Sequence, residues 1–388
     1  MIELAGKFDC VGCAACVDKC AFGALSVEKD TWGFSYPLLN PSLCKECHCC
    51  VRACPVLNKP DCKQTPFKAY LMQSKNEATL SQSASGGFCT EAFTRTIEKN
   101  MDVIVGAAYD DSFNVVHTEC TASEQVKRLS GSKYVQSDTT GIYVKIEQAL
   151  KQGKNVCFSG TPCQVSGLRS FLGKHYANLV TIDFLCHSVP SPRAWKVYLK
   201  NQEKKLGKII GVRFKSKKYG YSFPTLEIKT EKNGREKLYY FTSQADGFMS
   251  AFLHGRISRE SCKKCQFRDS HCSDLTVADY YRFSEISSEF KGNVGISRVI
   301  AWSDEGAAFV DSLKEFFVWK DVACDRVFLK DDFHDVQATG VEKESTISDA
   351  YILNHCLKVS AKQKLISVMR IVLHKIGLQE FVKRVIKG

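Results

Sequence analysis

Two short stretches near the start of the chain carry the same arrangement of cysteines. Residues 10–20 read CVGCAACVDKC and residues 44–54 read CKECHCCVRAC. Each contains four cysteines separated by two, two and three residues, and the second contains one more, Cys49. The second stretch is followed directly by Pro55, and ten of the chain's 20 cysteines lie within residues 1–62. In a reducing compartment, cysteines clustered in this way indicate a metal or redox site before they indicate disulfides.

This spacing is typical of bacterial ferredoxins, in which three close thiolates hold one 4Fe-4S cluster and the fourth reaches the neighbouring cluster. A zinc ribbon is the alternative, although zinc needs two CxxC pairs rather than eight ligands in duplicated runs. Cys49 could also compete as a ligand, although its offset from Cys47 does not fit the spacing. The repeat therefore predicts two clusters, held by a first cysteine set of Cys10, Cys13, Cys16 and Cys54 and a second set of Cys44, Cys47, Cys50 and Cys20.

The composition is that of a soluble globular protein with two or three domains. The chain has 388 residues, of which 44% are hydrophobic and 25% charged, and no run approaches the roughly 18 apolar residues of a membrane span. The first cysteine, Cys10, leaves no room for an apolar signal core, so we expect a cytoplasmic protein. A net charge of +12 raises nucleic acid as a partner, but bound clusters add negative charge and no nucleic-acid-binding motif is present, so no such partner is expected.

Beyond the repeat, apolar runs alternate with amphipathic ones as in an α/β fold built on a mixed sheet. The pattern predicts strands at 68–72, 102–109, 155–159 and 179–185, and helices at 87–99, 140–152, 162–172 and 192–205. From Gly207 it predicts strands at 209–214, 225–229, 237–241, 275–278 and 296–302, and a helix at 304–317. The fold class is therefore an α+β or α/β multidomain protein with four parts: a two-cluster ferredoxin domain at 1–62, two parts of a flavin- and cluster-binding region at 68–150 and 151–340, and a basic amphipathic helical tail at 341–388.

Six motifs of the middle region follow one another in a distinctive order: SASGG at 83–87, LSGSKYVQS at 129–137, SGTPCQV at 159–165, CHSVPSP at 186–192, CKKC at 262–265 and LTVADY at 275–280. Over about residues 1–320 the chain resembles the beta-subunit family of coenzyme F420 hydrogenases and dehydrogenases, with a ferredoxin domain fused in front. The resemblance implies an iron–sulfur flavoprotein that moves electrons between 4Fe-4S clusters, FAD and a small organic acceptor. It does not fix that acceptor, which could be a deazaflavin or a sugar-type metabolite.

The resemblance also implies a flavin site. Residues 83–87 precede a predicted helix, where free backbone N–H groups favour a pyrophosphate, although such a turn is by itself also an ordinary helix cap. Residues 131–134 offer hydroxyls, a cation and an aromatic ring, and the alternative is a surface loop with a packed tyrosine. The residues implied to bind FAD are Ser83, Ser85, Gly86, Gly87, Ser130, Gly131, Ser132, Lys133, Tyr134, Thr161, Pro162 and Asp279.

Four further cysteines lie in the family-like motifs, and we call them the third cysteine set: Cys163, Cys186, Cys262 and Cys265. Four thiolates suffice for a third 4Fe-4S cluster, whereas four buried free thiols or a zinc site are the alternatives. Cys272 is the substitute ligand if one of the four does not bind. His187 follows Cys186 and is the candidate catalytic proton donor, although a histidine there could equally be a structural hydrogen-bond partner.

These features together predict an oxidoreductase that takes electrons from a ferredoxin or a reductase and delivers them as pairs to a small molecule. The alternative is a non-catalytic electron-transfer subunit that docks a partner enzyme. At the C-terminus, residues 357–388 hold eight Lys or Arg against one acid, Glu380. The apolar positions Leu365, Val368, Met369, Val372 and Ile376 recur there at helical spacing, which suits a membrane surface, a partner groove or packing on the protein's own core.

Overall fold

The N-terminal module of the computed structural model repeats in its backbone the duplication seen in its sequence. The structure describes residues 2–62, 65–281, 289–327 and 347–376. Helices α1 (Ala15–Asp18) and α2 (Cys49–Arg52) begin at equivalent points of the two cysteine runs, and strands β1 (Leu25–Lys29) and β2 (Ser35–Leu39) pair antiparallel. Ala14 and His48, each directly after the second cysteine of its run, both adopt left-handed backbone conformations with φ of 61° and 56°. The backbone therefore turns in the same way after the second cysteine of each run.

An eight-stranded sheet forms the centre of the rest of the molecule, in the order β13-β3-β12-β11-β7-β6-β4-β5. The inner strands β4, β6, β7 and β11 run parallel, and the strands outside them pair antiparallel. Their bounds are β3 Lys68–Ser74, β4 Val103–Tyr109, β5 Val115–Cys120, β6 Val156–Ser159, β7 Leu179–Phe184, β11 Leu275–Asp279, β12 Ser297–Ala301 and β13 Phe317–Val322. Parallel strands need crossover connections, which are supplied here by helices.

Helices cover both faces of this sheet, because its central strands are apolar on both sides. Along β4 the buried side chains alternate: Val103 and Val105 belong to one core and Ile104 to the other. Helices α5 (Ile142–Lys151) and α6 (Pro162–Leu172) pack on the first side. Helices α4 (Phe88–Lys99) and α9 (Asp304–Asp311) pack on the second. A short helix, α3 (Glu77–Gln82), precedes α4.

A second layer is built beside the large sheet on a separate aromatic core. Strands β8 (Lys208–Ser216), β9 (Thr225–Lys232) and β10 (Arg235–Thr242) form an antiparallel sheet that packs with helices α7 (Pro192–Leu206) and α8 (Gly247–Leu253). The fully buried Trp195 lies among Tyr198, Phe214 and Phe248 at ring distances of 4.9–5.6 Å. The remaining helices are α10 Cys324–Val327, α11 Asp349–Tyr351 and α12 Ala361–Lys375.

The N-terminal module is held against α5 and α6 by polar contacts to the backbone. The Asp18 carboxylate accepts from the N–H groups of Gly141 (2.8 Å) and Tyr143 (3.3 Å), which caps the start of α5. Thr139 donates to the Cys13 carbonyl (2.9 Å), and Lys19 donates to the Phe171 carbonyl (2.7 Å). Such contacts fix the position of the first cysteine set on the sheet side of the module.

Most predicted strands and helices are present within a few residues, and the departures have physical causes. The predicted helix at 304–317 ends at Asp311, and residues 317–322 add an edge strand, β13, beside β3. Strand β5 was not predicted, because polar residues interrupt its apolar sequence. These residues suit its position at the edge of the sheet, where the strand is only partly buried. Cys62 and Cys272 form a disulfide, so Cys272 is not free to replace a ligand of the third cysteine set.

The tail helix α12 leaves one apolar side uncovered. Its inward side makes polar contacts, in which Ser367 bonds Thr242, Gln363 donates to Ser250 (3.3 Å) and Arg370 lies over the Phe223 ring. Three apolar residues are half-buried: Ile366, Ile371 and Leu373. The apolar side, by contrast, is exposed by between 50% and 62% at Leu365, Val368, Met369, Val372 and Ile376. Packing of this face on the protein's own core, one of the alternatives from the sequence, is therefore wrong. The predictions at 328–346 and 377–388 lie outside the described residues, and the four domain limits stay predictions.

A substitution at Gly12 tests how tightly the N-terminal module packs against Arg259 and Gln136. The φ of Gly12 is +67°, and a Cβ at this position would lie 2.7 Å from both Arg259 Nη1 and Gln136 Nε2, which are themselves hydrogen-bonded. Gly12→Ala should lose about 1–3 kcal/mol to overpacking, beyond the roughly 1 kcal/mol cost of left-handed backbone. The melting temperature and the iron content of the purified protein measure this loss. Gly23→Ala is the matched control, because its φ is +61° but its Cβ would meet nothing within 4 Å. Equal effects in the two variants would contradict a tight interface.

Candidate functional site

The first cysteine set lines one cavity at the interface side of the N-terminal module. Cys10, Cys13, Cys16 and Cys54 share this cavity with apolar side chains of Leu4, Val17, Val27, Pro37 and Val56. Burial, followed by the neighbouring thiols, raises the pKa of Cys16 to about 12 and that of Cys13 well above its usual value. Thiols that resist ionisation without metal become thiolates when a metal centre supplies positive charge. The donor set therefore fits a 4Fe-4S cluster.

The second cysteine set lines a separate cavity that opens to the surface. Cys20, Cys44, Cys47 and Cys50 surround it together with the extra thiol Cys49. Cys47 is exposed, and hydrogen bonds from the backbone and side chain of Cys49 lower its pKa. Cys49 itself accepts from Arg52 Nη2 (3.2 Å). Each cavity thus combines three cysteines of one run with the last cysteine of the other, which is the exchange that the spacing predicts.

The third cysteine set comes together from three distant parts of the chain. Cys163 lies at the start of α6, Cys186 follows β7, and Cys262 and Cys265 lie in the loop before β11. Burial and then the proximity of Cys262, Cys163 and Cys265 raise the pKa of Cys186 well above its usual value. Burial also raises the pKa of Cys163 to about 12 and that of Cys262 to about 11. Among the described residues no group of three His, Cys, Asp or Glu side chains is arranged to hold a single metal ion.

The first and third cysteine sets are separated by little more than one helix. Gly167 of α6 lets the two approach: a Cβ there would lie 2.9 Å from Cys13 Sγ and 3.2 Å from the Tyr143 hydroxyl. That hydroxyl donates to the Gln164 carbonyl (2.9 Å), one residue beyond Cys163. Burial raises the pKa of Tyr143, and Cys13 and Cys163 both add to the rise, so the phenol lies near both thiols. The structure therefore provides a short, packed path between the two sets.

The motifs implied to bind flavin meet at one edge of the large sheet. Thr161 and Pro162 follow β6, His187 follows β7, and Asp279 ends β11, so all lie at the carboxyl ends of parallel strands. This edge is where open α/β sheets bind ligands. A chain of hydroxyls joins the two remaining motifs there, with 3.4 Å between Ser83 and Thr90 and 3.0 Å between Thr90 and Ser130. Among these motifs, the Tyr134 ring stacks on Phe252, and the Phe252 and His187 rings lie edge to face.

The two glycines of the first motif are required by packing. A Cβ on Gly86 would lie 2.3 Å from the Ser297 nitrogen and 2.4 Å from the Met72 oxygen, and one on Gly87 would lie 3.1 Å from Ser74. The Ser85 hydroxyl donates to the Ile296 carbonyl (2.8 Å). Close approach of the sheet thus explains these small residues, and contact with a pyrophosphate stays a prediction.

The second motif forms a loop around a buried lysine. Lys133 Nζ donates to the carbonyls of Leu129 (3.1 Å), Ser130 (3.0 Å) and Gly131 (3.2 Å). Burial lowers the pKa of Lys133 to about 7. Gly131 itself has φ +79° and open space where a Cβ would be. The loop therefore surrounds an amine that gains or loses its proton near neutral pH.

Sequence reasoning missed the partners of Asp279. Its carboxylate pairs with the buried Lys215 and accepts from the Tyr221 hydroxyl (2.8 Å) and the Tyr281 hydroxyl (3.3 Å). Burial alone would raise the pKa of Asp279, but Lys215 and the hydroxyl donors outweigh it, so the pKa lies below its usual value. The basic residues Arg213, Lys215 and Lys217, at the end of β8 and directly after it, were the available signal.

The arrangement defines a class of protein: a dicluster ferredoxin module packed on an α/β domain that carries a further cysteine set. Residues 9–58 match the model of a 4Fe-4S dicluster domain, and residues 153–319 match that of the C terminus of the coenzyme F420 hydrogenase/dehydrogenase beta subunit. Residues 153–319 are therefore similar to the C terminus of these oxidoreductase-type beta subunits, and an iron–sulfur dicluster domain precedes them, as the sequence motifs indicated.

Solved structures and curated proteins provide two further comparisons. A chain of the F420-reducing [NiFe] hydrogenase complex from Methanosarcina barkeri, in a xenon-derivatised structure, is similar at 15% identity and a TM-score of 0.46. The alignment covers 66% of this chain and 82% of that one. No curated protein matches the sequence. Within the described residues no helix is both long enough and apolar enough to cross a membrane.

The third cysteine set yields a direct mutational test. Cys163→Ala or Cys265→Ala should lower the iron content by about four atoms per chain while leaving the spectrum of the two N-terminal clusters in place, because a 4Fe-4S cluster requires its full set of thiolates. Iron assay and electron paramagnetic resonance (EPR) spectroscopy of anaerobically purified protein measure both effects. Cys120→Ala and Cys324→Ala are the controls and should leave iron unchanged. Full iron content in the Cys163 variant would exclude a cluster at this site.

Proposed function

We propose that this protein is an iron–sulfur flavoprotein oxidoreductase that receives electrons from a ferredoxin or a reductase and delivers them, through its clusters and FAD, to a small organic acceptor. The single observation that carries the proposal is the succession of the three cysteine sets. The second set reaches the surface at Cys47, the first lies against α6, and the third lies at the carboxyl edge of the sheet. Electrons entering at the surface would thus be led inward to the proposed ligand edge.

The residues around the carboxyl edge are suited to hold FAD. Bound flavin would supply the conversion between single electrons and electron pairs, which clusters alone cannot provide. The loop around Lys133 places the hydroxyls of Ser130 and Ser132 and a buried amine beside the position proposed for a phosphate. Tyr134 offers an aromatic ring between Phe214 and Phe252 at centroid distances of 5.3 and 4.6 Å. Ser83, Ser85, Thr161, Pro162 and Asp279 complete the proposed set.

Two groups at this edge are placed to hold or move protons. The Lys215–Asp279 pair is tied to two tyrosine hydroxyls, so it can present an ammonium group, a carboxylate and O–H groups to a bound ring system. The Tyr134 ring is near Lys215, Asp279 and Cys186, which links the pair to the third cysteine set. His187, whose ring lies edge to face with Phe252 at 5.2 Å, is the proposed proton donor to the acceptor.

Anaerobic purification followed by assay of iron, sulfide and flavin tests the proposal. Three clusters predict about twelve irons and twelve sulfides per chain, together with stoichiometric FAD. Reduction of the flavin by reduced ferredoxin should follow. Fewer than about eight irons, or tightly bound zinc in place of iron, would overturn the scheme.

A non-catalytic electron-transfer subunit is the second candidate, favoured by the family's description as a beta subunit of larger enzymes. The two candidates differ in their requirement for a partner protein. An oxidoreductase reduces its acceptor alone when given a reduced donor, whereas a subunit shows activity only when a second protein is added. Co-purification under reducing, anaerobic conditions identifies such a partner.

The pKa of Lys133 predicts how flavin retention depends on pH. A phosphate favours the charged amine, and the amine of the flavin-free protein loses its proton near pH 7. Below that pH the site is already charged, and above it binding must take up a proton, so affinity for FAD should fall by up to about tenfold per pH unit. Fluorescence titration of the flavin-depleted protein between pH 6 and 9 measures this. Lys133→Met should bind FAD weakly with a flat profile, whereas a flat profile in the wild type would exclude Lys133 from the phosphate site.

We further propose that the exposed apolar face of α12 docks on an anionic lipid surface. The face is bordered by Lys362, Lys364 and Lys375, and an apolar stripe beside basic side chains matches the chemistry of acidic headgroups above acyl chains. The protein should sediment with vesicles of phosphatidylglycerol and phosphatidylcholine but much less with phosphatidylcholine alone.

The double variant Val368→Asp, Met369→Asp should abolish this sedimentation. Leu238→Asp, at a position exposed by 46% on β10, is the matched control and should sediment like the wild type. Absence of sedimentation with either vesicle, or unchanged sedimentation of the double variant, would exclude a lipid-binding face.

A further inference from the structure

One arginine lies between the first and third cysteine sets, and sequence motifs gave no indication of it. The side chain of Arg259 is fully buried, with 0% of its surface exposed. Its Nε donates to the carbonyl of Cys10 (2.8 Å), its Nη1 to Gln136 Oε1 (2.9 Å) and its Nη2 to the Ser35 carbonyl (3.0 Å). The guanidinium therefore belongs to the surroundings of the first cysteine set.

The backbone of the same residue belongs to the third set. The N–H of Arg259 donates to the carbonyl of Val189 (3.0 Å), three residues beyond Cys186, and the carbonyl of Arg259 accepts from the N–H of Cys262 (3.1 Å). Its side chain is hydrogen-bonded to the backbone of the first set, and its backbone is hydrogen-bonded to Cys262 of the third. A single cationic residue thus contacts two separate ligand sets.

The guanidinium has no acidic partner in the described parts of the chain: no carboxylate there lies within ion-pair distance of it. It rests over the Tyr36 ring at 4.2 Å, a contact that contributes only modestly. Arginine stays charged at every physiological pH, and an uncompensated charge taken out of water costs several kcal/mol. A nearby anion must compensate this cost. A 4Fe-4S cluster with four thiolates carries net negative charge, and it gains one more on reduction.

We propose, on the basis of the function proposed above, that Arg259 is the shared counter-ion of the first and third clusters and raises the reduction potential of both. A fixed positive charge in a region without water favours the reduced, more negative form of each neighbouring cluster. The second cluster serves as an internal reference, because no hydrogen bond in the described residues joins Arg259 to its ligands. The arginine therefore makes the two inner clusters better electron acceptors than the cluster at the surface.

Anaerobic redox titration monitored by EPR spectroscopy tests this inference on the iron-loaded protein. Arg259→Met should shift the midpoint potentials of two clusters downward and leave that of the remaining cluster in place. Arg259→Lys, which keeps the charge but loses the planar fork of donors, should retain most of the wild-type values. Lys151→Met is the control: Lys151 is a cation of α5 that is exposed and paired with Glu147 at 2.9 Å, so its loss should move the potentials little.

Each other outcome is also decisive. Unchanged potentials in Arg259→Met with full iron content would overturn the inference, as would an equal shift of all three clusters. If Arg259→Met loses iron but Arg259→Lys keeps it, the charge is needed to hold the clusters, which supports the inference. If both variants lose iron equally, the hydrogen bonds and not the charge are what matters, and the inference fails. Iron content of the wild type separately reports whether three clusters exist, so failure of the proposed function is distinguishable.

Discussion

The constraint on which this structure depends is that thiols must ionise where water does not reach. Burial raises the pKa of Cys13, Cys16, Cys163 and Cys186, and the thiols within each set raise one another further. Such sets are unfavourable as bare thiolates and become favourable around a cationic iron–sulfur core. The separate core of the N-terminal module is small, with Ile2, Leu25 and Cys50 as its buried residues. Clusters held by the two cysteine sets would therefore add to its stability.

The large sheet meets the same constraint in a different way. The third cysteine set is spread over about 100 residues, so no local spacing can shape it. Instead the parallel order β11-β7-β6 brings Cys163 and Cys186 to one edge, and the loop that contains Cys262 reaches the same place before β11 begins. The capping box at Thr161 and Gln164 fixes the start of α6, and with it the position of Cys163. The geometry of this proposed metal-binding set is a product of sheet topology.

What could be predicted from the sequence follows from how local each signal is. The exchange of the fourth cysteines between the two runs was predictable, because the ferredoxin spacing itself contains it. Strands such as β6 and helices such as α6 were predictable from periodicity, capping residues and proline. Arg259 and Lys215 were not, because each acquires its meaning from residues far away in the chain: Cys10 for one and Asp279 for the other. The polar contacts of α12 could not be predicted for the same reason, since Ser367 bonds Thr242 on β10, 125 residues earlier in the chain.

The way in which α1 is built into the interface has a consequence for how fast the protein can work. Ala15 is completely enclosed, and Cys13 shares a core with Ile142, Val165 and Leu168 of the helices that cover the sheet. A ferredoxin that diffuses must find its partner anew for every electron, and its rate depends on concentration and salt. Here the N-terminal module and the large sheet are brought together once, when the chain folds. The gap between the two inner cysteine sets is set by packed atoms, so transfer across it should be independent of protein concentration.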